Sequence, residues 1–284
     1  MSTVLTPPPA PPAPEPAPSS DAPSHKPGGA AKVIAILTIV LGGIIVLGTI
    51  ASTIFATVGA ASTQTSGRTI AVSGVDEVDV ELAAGSLRVE FADIDEAELT
   101  VTSAFGADRW TFDRDGDRLV VASPRWMWGM GWMQQGDAVL RLPEGLDGTD
   151  AVIDVAAGDA VVDGGFGDLQ VQLGAGRMQV SGTADTFGAE VSAGRGEFDL
   201  ADVNEATLSV SAGSLDGVLT GDQPRTVDVD VSAGGLRLTV PDGEYDITSD
   251  VSAGSFDDRV GSTSGAASTI AVQVSAGQAV LRAD

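Results

Sequence analysis

The sequence contains no cysteine, and its only histidine is His25. Lysine occurs only at Lys26 and Lys32, so residues 59–284 have no Cys, His or Lys. These absences exclude disulfides, thiolate metal ligands and nucleophiles activated by His or Cys from that part of the chain. Any chemistry there would depend on Asp, Glu, Arg, Ser, Thr and Tyr245.

Positively charged residues are also scarce. The chain has a net charge of −25, and all of it belongs to residues 59–284, which hold 38 acidic residues and 13 arginines. A field of this sign repels nucleic acid and anionic lipid, so nucleic-acid binding is excluded. The carboxylates either keep an exposed domain soluble, which we favour, or collect cations.

The N-terminal region differs in composition from the rest. Residues 1–32 hold ten of the fourteen prolines, which predicts a disordered tail. Residues 33–58 carry no charge over 26 positions. About 20 apolar residues cross a bilayer, so this run predicts one transmembrane helix. Lys26 and Lys32 precede it, which predicts a cytoplasmic N-terminus and an extracytoplasmic C-terminal part in a single-pass protein of the cell membrane.

A cleaved signal peptide is the alternative interpretation, because VGAAS at 58–62 resembles a cleavage site. The apolar run is longer than the roughly 7–15 residues of a signal peptide, so we favour a retained anchor. The predicted organisation is a tail (1–32), a span (33–58), a linker (59–69) and an extracytoplasmic domain (70–284).

A repeat runs through this domain. The dipeptide Ala-Gly recurs eight times, and from the second copy onward its spacing is 18–23 residues. Its glycines are Gly85, Gly158, Gly176, Gly194, Gly213, Gly234, Gly254 and Gly277.

The repeat has the periodicity of strands. Apolar residues stand three and one positions before each Gly, as Val231 and Ala233 do in DVSAGGLRL. This alternation predicts a strand with one buried face, with Val and Ala pointing inward and Ser232 outward. After the Gly, apolar residues resume at the second and fourth positions, so the chain must bend there. The glycines are therefore predicted corners of the repeat.

Such units bury their apolar faces only when they are stacked. The sequence thus predicts an all-β domain, a β-solenoid or β-helix of about eight rungs with an inserted hairpin.

Residues 95–145, which lie between the first and second Ala-Gly copies, do not follow the pattern of the repeat. RWTFDRDGDRLVV (109–121) predicts a hairpin with Asp115 and Gly116 at the turn. Its aspartates also have the spacing of a calcium loop, but Arg118 and Pro124 stand where such a loop needs Gly and Glu. The hairpin is therefore the favoured interpretation.

RWMWGMGWM follows at 125–133 and holds three of the four tryptophans. Trp126, Trp128 and Trp132 predict either a cap over an open end of the stack, which we favour, or a patch that binds a partner, a glycan or the membrane surface.

The VSAG units, the LRLPEG segment (140–145) and the preceding apolar run resemble the bacterial putative-adhesin family of β-strand-repeat surface proteins, over residues 70–284. The composition, rich in Ala, Gly, Asp and Arg, resembles that of an actinobacterial member. The resemblance implies a surface-exposed β-helical domain and transfers no catalytic residue.

Three functions follow from these patterns. The favoured one is a non-enzymatic, membrane-anchored surface module for adhesion or envelope interaction, with a cell-wall component, surface protein or glycan as partner. The alternatives are an envelope-stress or signalling accessory protein and a carboxylate-based polysaccharide hydrolase. We expect no cofactor, metal or catalytic residue, and no feature of the sequence specifies an oligomeric state.

Overall fold

The computed structural model describes residues 64–103, 107–124 and 136–284. They confirm the all-β prediction: sixteen strands form one sheet, and these residues contain no α-helix, only two 3-10 turns. The strands are β1 (Gln64–Ala71), β2 (Glu77–Leu82), β3 (Gly85–Ala92), β4 (Glu96–Ser103), β5 (Thr111–Asp115), β6 (Arg118–Ala122), β7 (Gly136–Pro143), β8 (Thr149–Ala201), β9 (Glu205–Val210), β10 (Ser214–Thr220), β11 (Thr226–Val231), β12 (Gly235–Val240), β13 (Tyr245–Val251), β14 (Ser255–Asp258), β15 (Ser268–Val274) and β16 (Gln278–Ala283).

The strands pair in two rows that share the long strand β8. Row A has the order β5-β6-β2-β8-β9-β11-β15-β13, and row B has the order β1-β4-β7-β3-β8-β10-β12-β16-β14. From β2 and β3 onward, every pairing in both rows is parallel. We call a row A strand together with the row B strand that follows it a rung.

Neighbouring rungs align the same repeat position. Val231 of β11 pairs with Val210 of β9 on one side and with Val274 of β15 on the other. All three of these side chains are fully buried. Because strand side chains alternate between faces, the whole valine column points into the core. The aromatic rings of Phe187 and Phe198 meet there, 4.9 Å apart.

The rungs do not follow the order of the sequence at the C-terminal end. Strand β15 lies between β11 and β13, and β16 lies between β12 and β14. The last repeat of the chain is therefore inserted between its two predecessors. The rung β13–β14 is left at the end of both rows.

The opposite end is built differently. Strand β4 pairs antiparallel with β7 and with β1, and these pairings end row B. The predicted hairpin ends row A as β5 and β6, paired antiparallel. Its two-residue turn is Gly116-Asp117, one position later than predicted, since Asp115 pairs with Arg118 and the positive φ of 67° falls on Gly116.

The glycines of the repeat stack on one another where the chain passes from row A to row B. A Cβ on Gly234 would collide with the carbonyl oxygen of Gly213, and a Cβ on Gly277 would collide with that of Gly234. The backbones of successive rungs therefore approach more closely here than any side chain permits.

The alanine before the repeat glycine is exposed in every copy except the first, so the inward position predicted for it is wrong. Ala175, Ala193, Ala212 and Ala233 are exposed. Strand β11 ends at Val231, and the chain already turns over Ser232 and Ala233. The alternation of the strand thus does not extend to the alanine, and the outward position predicted for Ser232 is observed.

The interior is one apolar cluster that extends from Val75 to Leu281. It contains the only tyrosine, Tyr245, whose hydroxyl donates a 2.9 Å hydrogen bond to the carbonyl oxygen of Pro241. Burial, with a smaller contribution from the charge of Asp242, raises the pKa of Tyr245 to about 12. This hydroxyl is therefore a neutral structural donor at physiological pH.

The predicted span 33–58 lies outside the described residues. Within 64–103, 107–124 and 136–284, no helix has the length and apolar character needed to cross a membrane.

Candidate interaction surfaces

The tryptophan segment does not supply a described site. Trp126, Trp128 and Trp132 lie outside the described residues, so the choice between cap and binding patch stays a prediction. The fourth tryptophan, Trp110, belongs to the core with 5% of its surface exposed. Its carbonyl oxygen accepts a 2.6 Å hydrogen bond from Arg68.

The outer face of row A is rich in carboxylates, and at one end Arg118 of β6 contacts two of them, Glu77 at 2.7 Å and Asp79 at 3.7 Å. Strands β2, β9, β11 and β13 contain acidic residues, β15 contains none, and no Lys or Arg lies in any of these five strands. The in-register pairing lines up the residue four positions before each repeat glycine, so that Glu81 pairs with Asp154 and Asp230 with Gln273. This column consists of Glu81, Asp154, Gln172, Glu190, Ser209, Asp230, Gln273 and Asp250.

The end of this face forms a shallow groove, which we call the acidic groove. Its volume is about 390 Å³, and it crosses β9, β11, β15 and β13. Its polar lining comprises Thr207, Ser209, Asp228, Asp230, Thr248, Ser249, Asp250 and Gln273. Carboxylates, hydroxyls and an amide in an open groove can accept hydrogen bonds from a cationic or polyhydroxylated partner.

The outer face of row B contains arginines beside its carboxylates. Arg237 contacts Asp216 of the neighbouring rung at 2.8 Å, and Arg141 contacts Glu90 at 2.9 Å. The carboxylate of Glu90 raises the pKa of Arg141, first through their hydrogen bond and then through its charge. Exposed pairs of this kind contribute little stability. They offset part of the negative charge of row B, so that the net negative charge is larger on row A.

The carboxylates in the described part of the chain are all at least partly exposed to solvent. Asp257 is held ionised by Arg259, whose hydrogen bond lowers the pKa of that carboxyl. Among these residues there is also no group of three or more His, Cys, Asp or Glu that could hold a metal ion.

The sequence contains the residues of the acidic column, but its pattern did not predict that they form one surface. Its signal is the polar residue four positions before each repeat glycine, which the alternation already placed outward. The scarcity of arginine on this face could not be predicted from the sequence, because it depends on which strands share a row.

Comparisons with known proteins returned distant structures alone. No family model and no curated protein matches the chain. A putative cell adhesion protein from Clostridium sporogenes is 8% identical, with a TM-score of 0.34 over 78% of this chain and 100% of that one. A putative adhesin from Bacteroides fragilis is 9% identical, with a TM-score of 0.38 over 78% and 97%. A putative lipid binding protein from Parabacteroides distasonis is 15% identical, with a TM-score of 0.36 over 76% and 96%.

Proposed function

We propose that this protein is a membrane-anchored, non-enzymatic module of the bacterial cell surface that serves adhesion or envelope interaction. The observation that carries the proposal is the acidic outer face of row A, whose strands β2, β9, β11, β13 and β15 contain no Lys or Arg. A face of this kind offers many equivalent weak contacts, which suits attachment by multivalency. It does not offer the single focused site that catalysis requires.

We further infer that the two rows close into a solenoid, with each rung as one coil. Parallel in-register pairing at a spacing of 18–23 residues supports this inference, as does the contact between Phe187 and Phe198 from opposite rows. A solenoid gives the acidic face its regular rise of about 4.8 Å per rung.

The anchor is part of the proposal and has a direct test. The full chain, expressed in bacteria, should remain in the membrane fraction, and external protease should digest residues 59–284 in spheroplasts. The uncharged run 33–58, preceded by Lys26 and Lys32, is the physical reason for this expectation. A soluble fragment that begins near Ala60 would instead identify a cleaved signal peptide.

Binding to cell-envelope material tests the role of the acidic face. A variant with Asp228→Asn, Asp230→Asn and Asp250→Asn should bind purified cell-envelope material less well than the unaltered chain. The matched control removes three carboxylates from row B, through Asp137→Asn, Asp216→Asn and Asp257→Asn, and should retain binding. Equal binding by both variants would refute the role assigned to row A.

A further inference from the structure

The rung β13–β14 has an edge that no other strand of the described residues pairs with along its length. Strand β13 pairs with β15, and β14 pairs with β16, each on one side. On the other side there is a single bridge between Tyr245 and Ser262. Unpaired strand edges are templates for pairing with another chain, and proteins usually block them.

Part of this edge is blocked by the chain itself. The Oγ of Ser262 accepts a 2.9 Å hydrogen bond from the N–H of Ile247, and Thr263 donates its N–H to the carbonyl of Tyr245 at 2.7 Å. At the far end, the Asp258 carboxylate accepts the N–H groups of Val260 and Gly261. The segment 262–263 thus takes the place of the first residues of an additional strand.

The middle of the edge is the part left open. The N–H groups of successive strand residues point alternately to the two sides of the strand. Ile247 donates away from β15, whereas Ser252 donates to Val274 of β15. By this alternation, the backbone groups of Ser249 and Val251 face the open edge.

The inward-pointing side chains at this edge are also exposed to solvent. Val251 is 39% exposed and is the single large hydrophobic side chain in the described part of the chain that is exposed. It occupies the column in which Val231 and Val274 are fully buried. In the neighbouring inward column, Ser249 stands opposite the buried Val272. The rung therefore presents one apolar and one polar position to whatever strand is added next.

The negative charge of β13 indicates which kind of strand can pair with its edge. Asp246 and Asp250 lie on the outer face of β13, and the described row A strands beside them carry no basic residue. A second copy, paired antiparallel about Asp250, would set two Asp250 carboxylates opposite each other, which is destabilising. A strand with lysine or arginine at alternate positions would place its cations beside these carboxylates and its apolar residues against Val251.

We propose that the edge of β13, from Thr248 to Val251, is a docking site for an extended basic segment of a partner protein, which adds to row A as a further strand. Main-chain hydrogen bonds to Ser249 and Val251 would supply affinity, and the carboxylates would supply selectivity. This inference does not depend on the membrane anchor. It shares Asp250 with the acidic groove, so Val251→Pro, which leaves every carboxylate in place, separates it from the role proposed for the acidic face.

The test uses the full chain in detergent and two fluorescently labelled eight-residue peptides, one of alternating Val and Lys and one of alternating Val and Glu. Fluorescence anisotropy should show binding of the Val–Lys peptide that weakens as salt is added. The Val–Glu peptide should bind at least about tenfold more weakly. If another part of the chain already fills the edge, the Val–Lys peptide will not bind, and the proposal is then overturned.

Two variants locate the binding. Val251→Pro removes the N–H that faces the edge and should weaken binding of the Val–Lys peptide by about tenfold or more, because proline is tolerated at edge strands but cannot donate. Val251→Thr keeps the donor and the branched shape and serves as the control. If Val251→Pro fails to fold, Asp246→Asn with Asp250→Asn should still weaken binding.

Three further results would overturn the proposal. The first is equal binding of both peptides, and the second is binding that Val251→Pro, folded as judged by circular dichroism, leaves unchanged. The third is a concentration-dependent dimer of the unaltered chain that Val251→Pro abolishes, since it would make a second copy the occupant of this edge.

Discussion

Val231→Asp is expected to destabilise the β-domain severely, whereas Ser232→Asp is expected to leave it folded. Val231 is fully buried between Val210 and Val274 of the adjoining rungs. A carboxylate at this position has no cation within the valine column and would lose its hydration. The expected cost is roughly 3–5 kcal/mol, in the range reserved for buried unpaired charges.

Ser232 is the matched control, because it is the adjacent residue and receives the same new side chain. It is exposed, and its backbone N–H donates to the carbonyl of Val210, a bond that the substitution leaves in place. Asp230 lies close to it and adds a small repulsion that salt will screen. Thermal unfolding followed by circular dichroism measures both variants. Equal melting temperatures would show that the inward and outward phases have been assigned incorrectly.

Gly234→Ala should destabilise the domain, and Gly235→Ala should not. A Cβ on Gly234 would overlap the carbonyl oxygen of Gly213 and lie 2.7 Å from a methyl group of Val210. The carbonyl belongs to the backbone of a paired rung, so it cannot move aside without disturbing the pairing. Overpacking of this kind costs about 1–3 kcal/mol, which corresponds to a fall in melting temperature of roughly 3–10 °C.

Gly235 is the next residue, and a Cβ there would have no atom within 4 Å. Alanine at this position should leave stability unchanged or raise it by about 0.4–1 kcal/mol, because it restricts the unfolded chain. A loss of stability that is equal in the two variants would mean that backbone flexibility, and not close approach of the rungs, is the reason for these glycines.

The all-β class could be predicted because each strand carries its own evidence. In β11, Val227, Val229 and Val231 alternate with polar residues, and a pattern of period two has one structural solution. The position of Ala233 could not be predicted in the same way. Its apolar character agreed with the alternation, but the strand ends two residues earlier, and the sequence does not mark that end.

The order of the rungs could not be predicted from the repeat itself. The last units each end row A in a valine, so Val231 fits equally well beside Val251 or Val274, and local pattern cannot choose between them. One residue does carry information: Ser249 stands in a column where the other row A strands place apolar residues such as Leu208 and Val229. A polar residue at an inward position is tolerated best at an end of the stack, which is where the structure places it.

Disulfide trapping tests the order of the rungs most directly, because the chain has no cysteine of its own. Neighbouring strands lie about 4.8 Å apart, within the range that a disulfide bridges, whereas strands two rungs apart lie about 10 Å from each other and cannot be linked. With β15 inserted between β11 and β13, the pair Asp230→Cys with Gln273→Cys should oxidise to a disulfide, and so should Asp250→Cys with Gln273→Cys. The pair Asp230→Cys with Asp250→Cys should remain reduced. A disulfide between positions 230 and 250, without one between 230 and 273, would show that the rungs follow the sequence and that β13 does not form the free end.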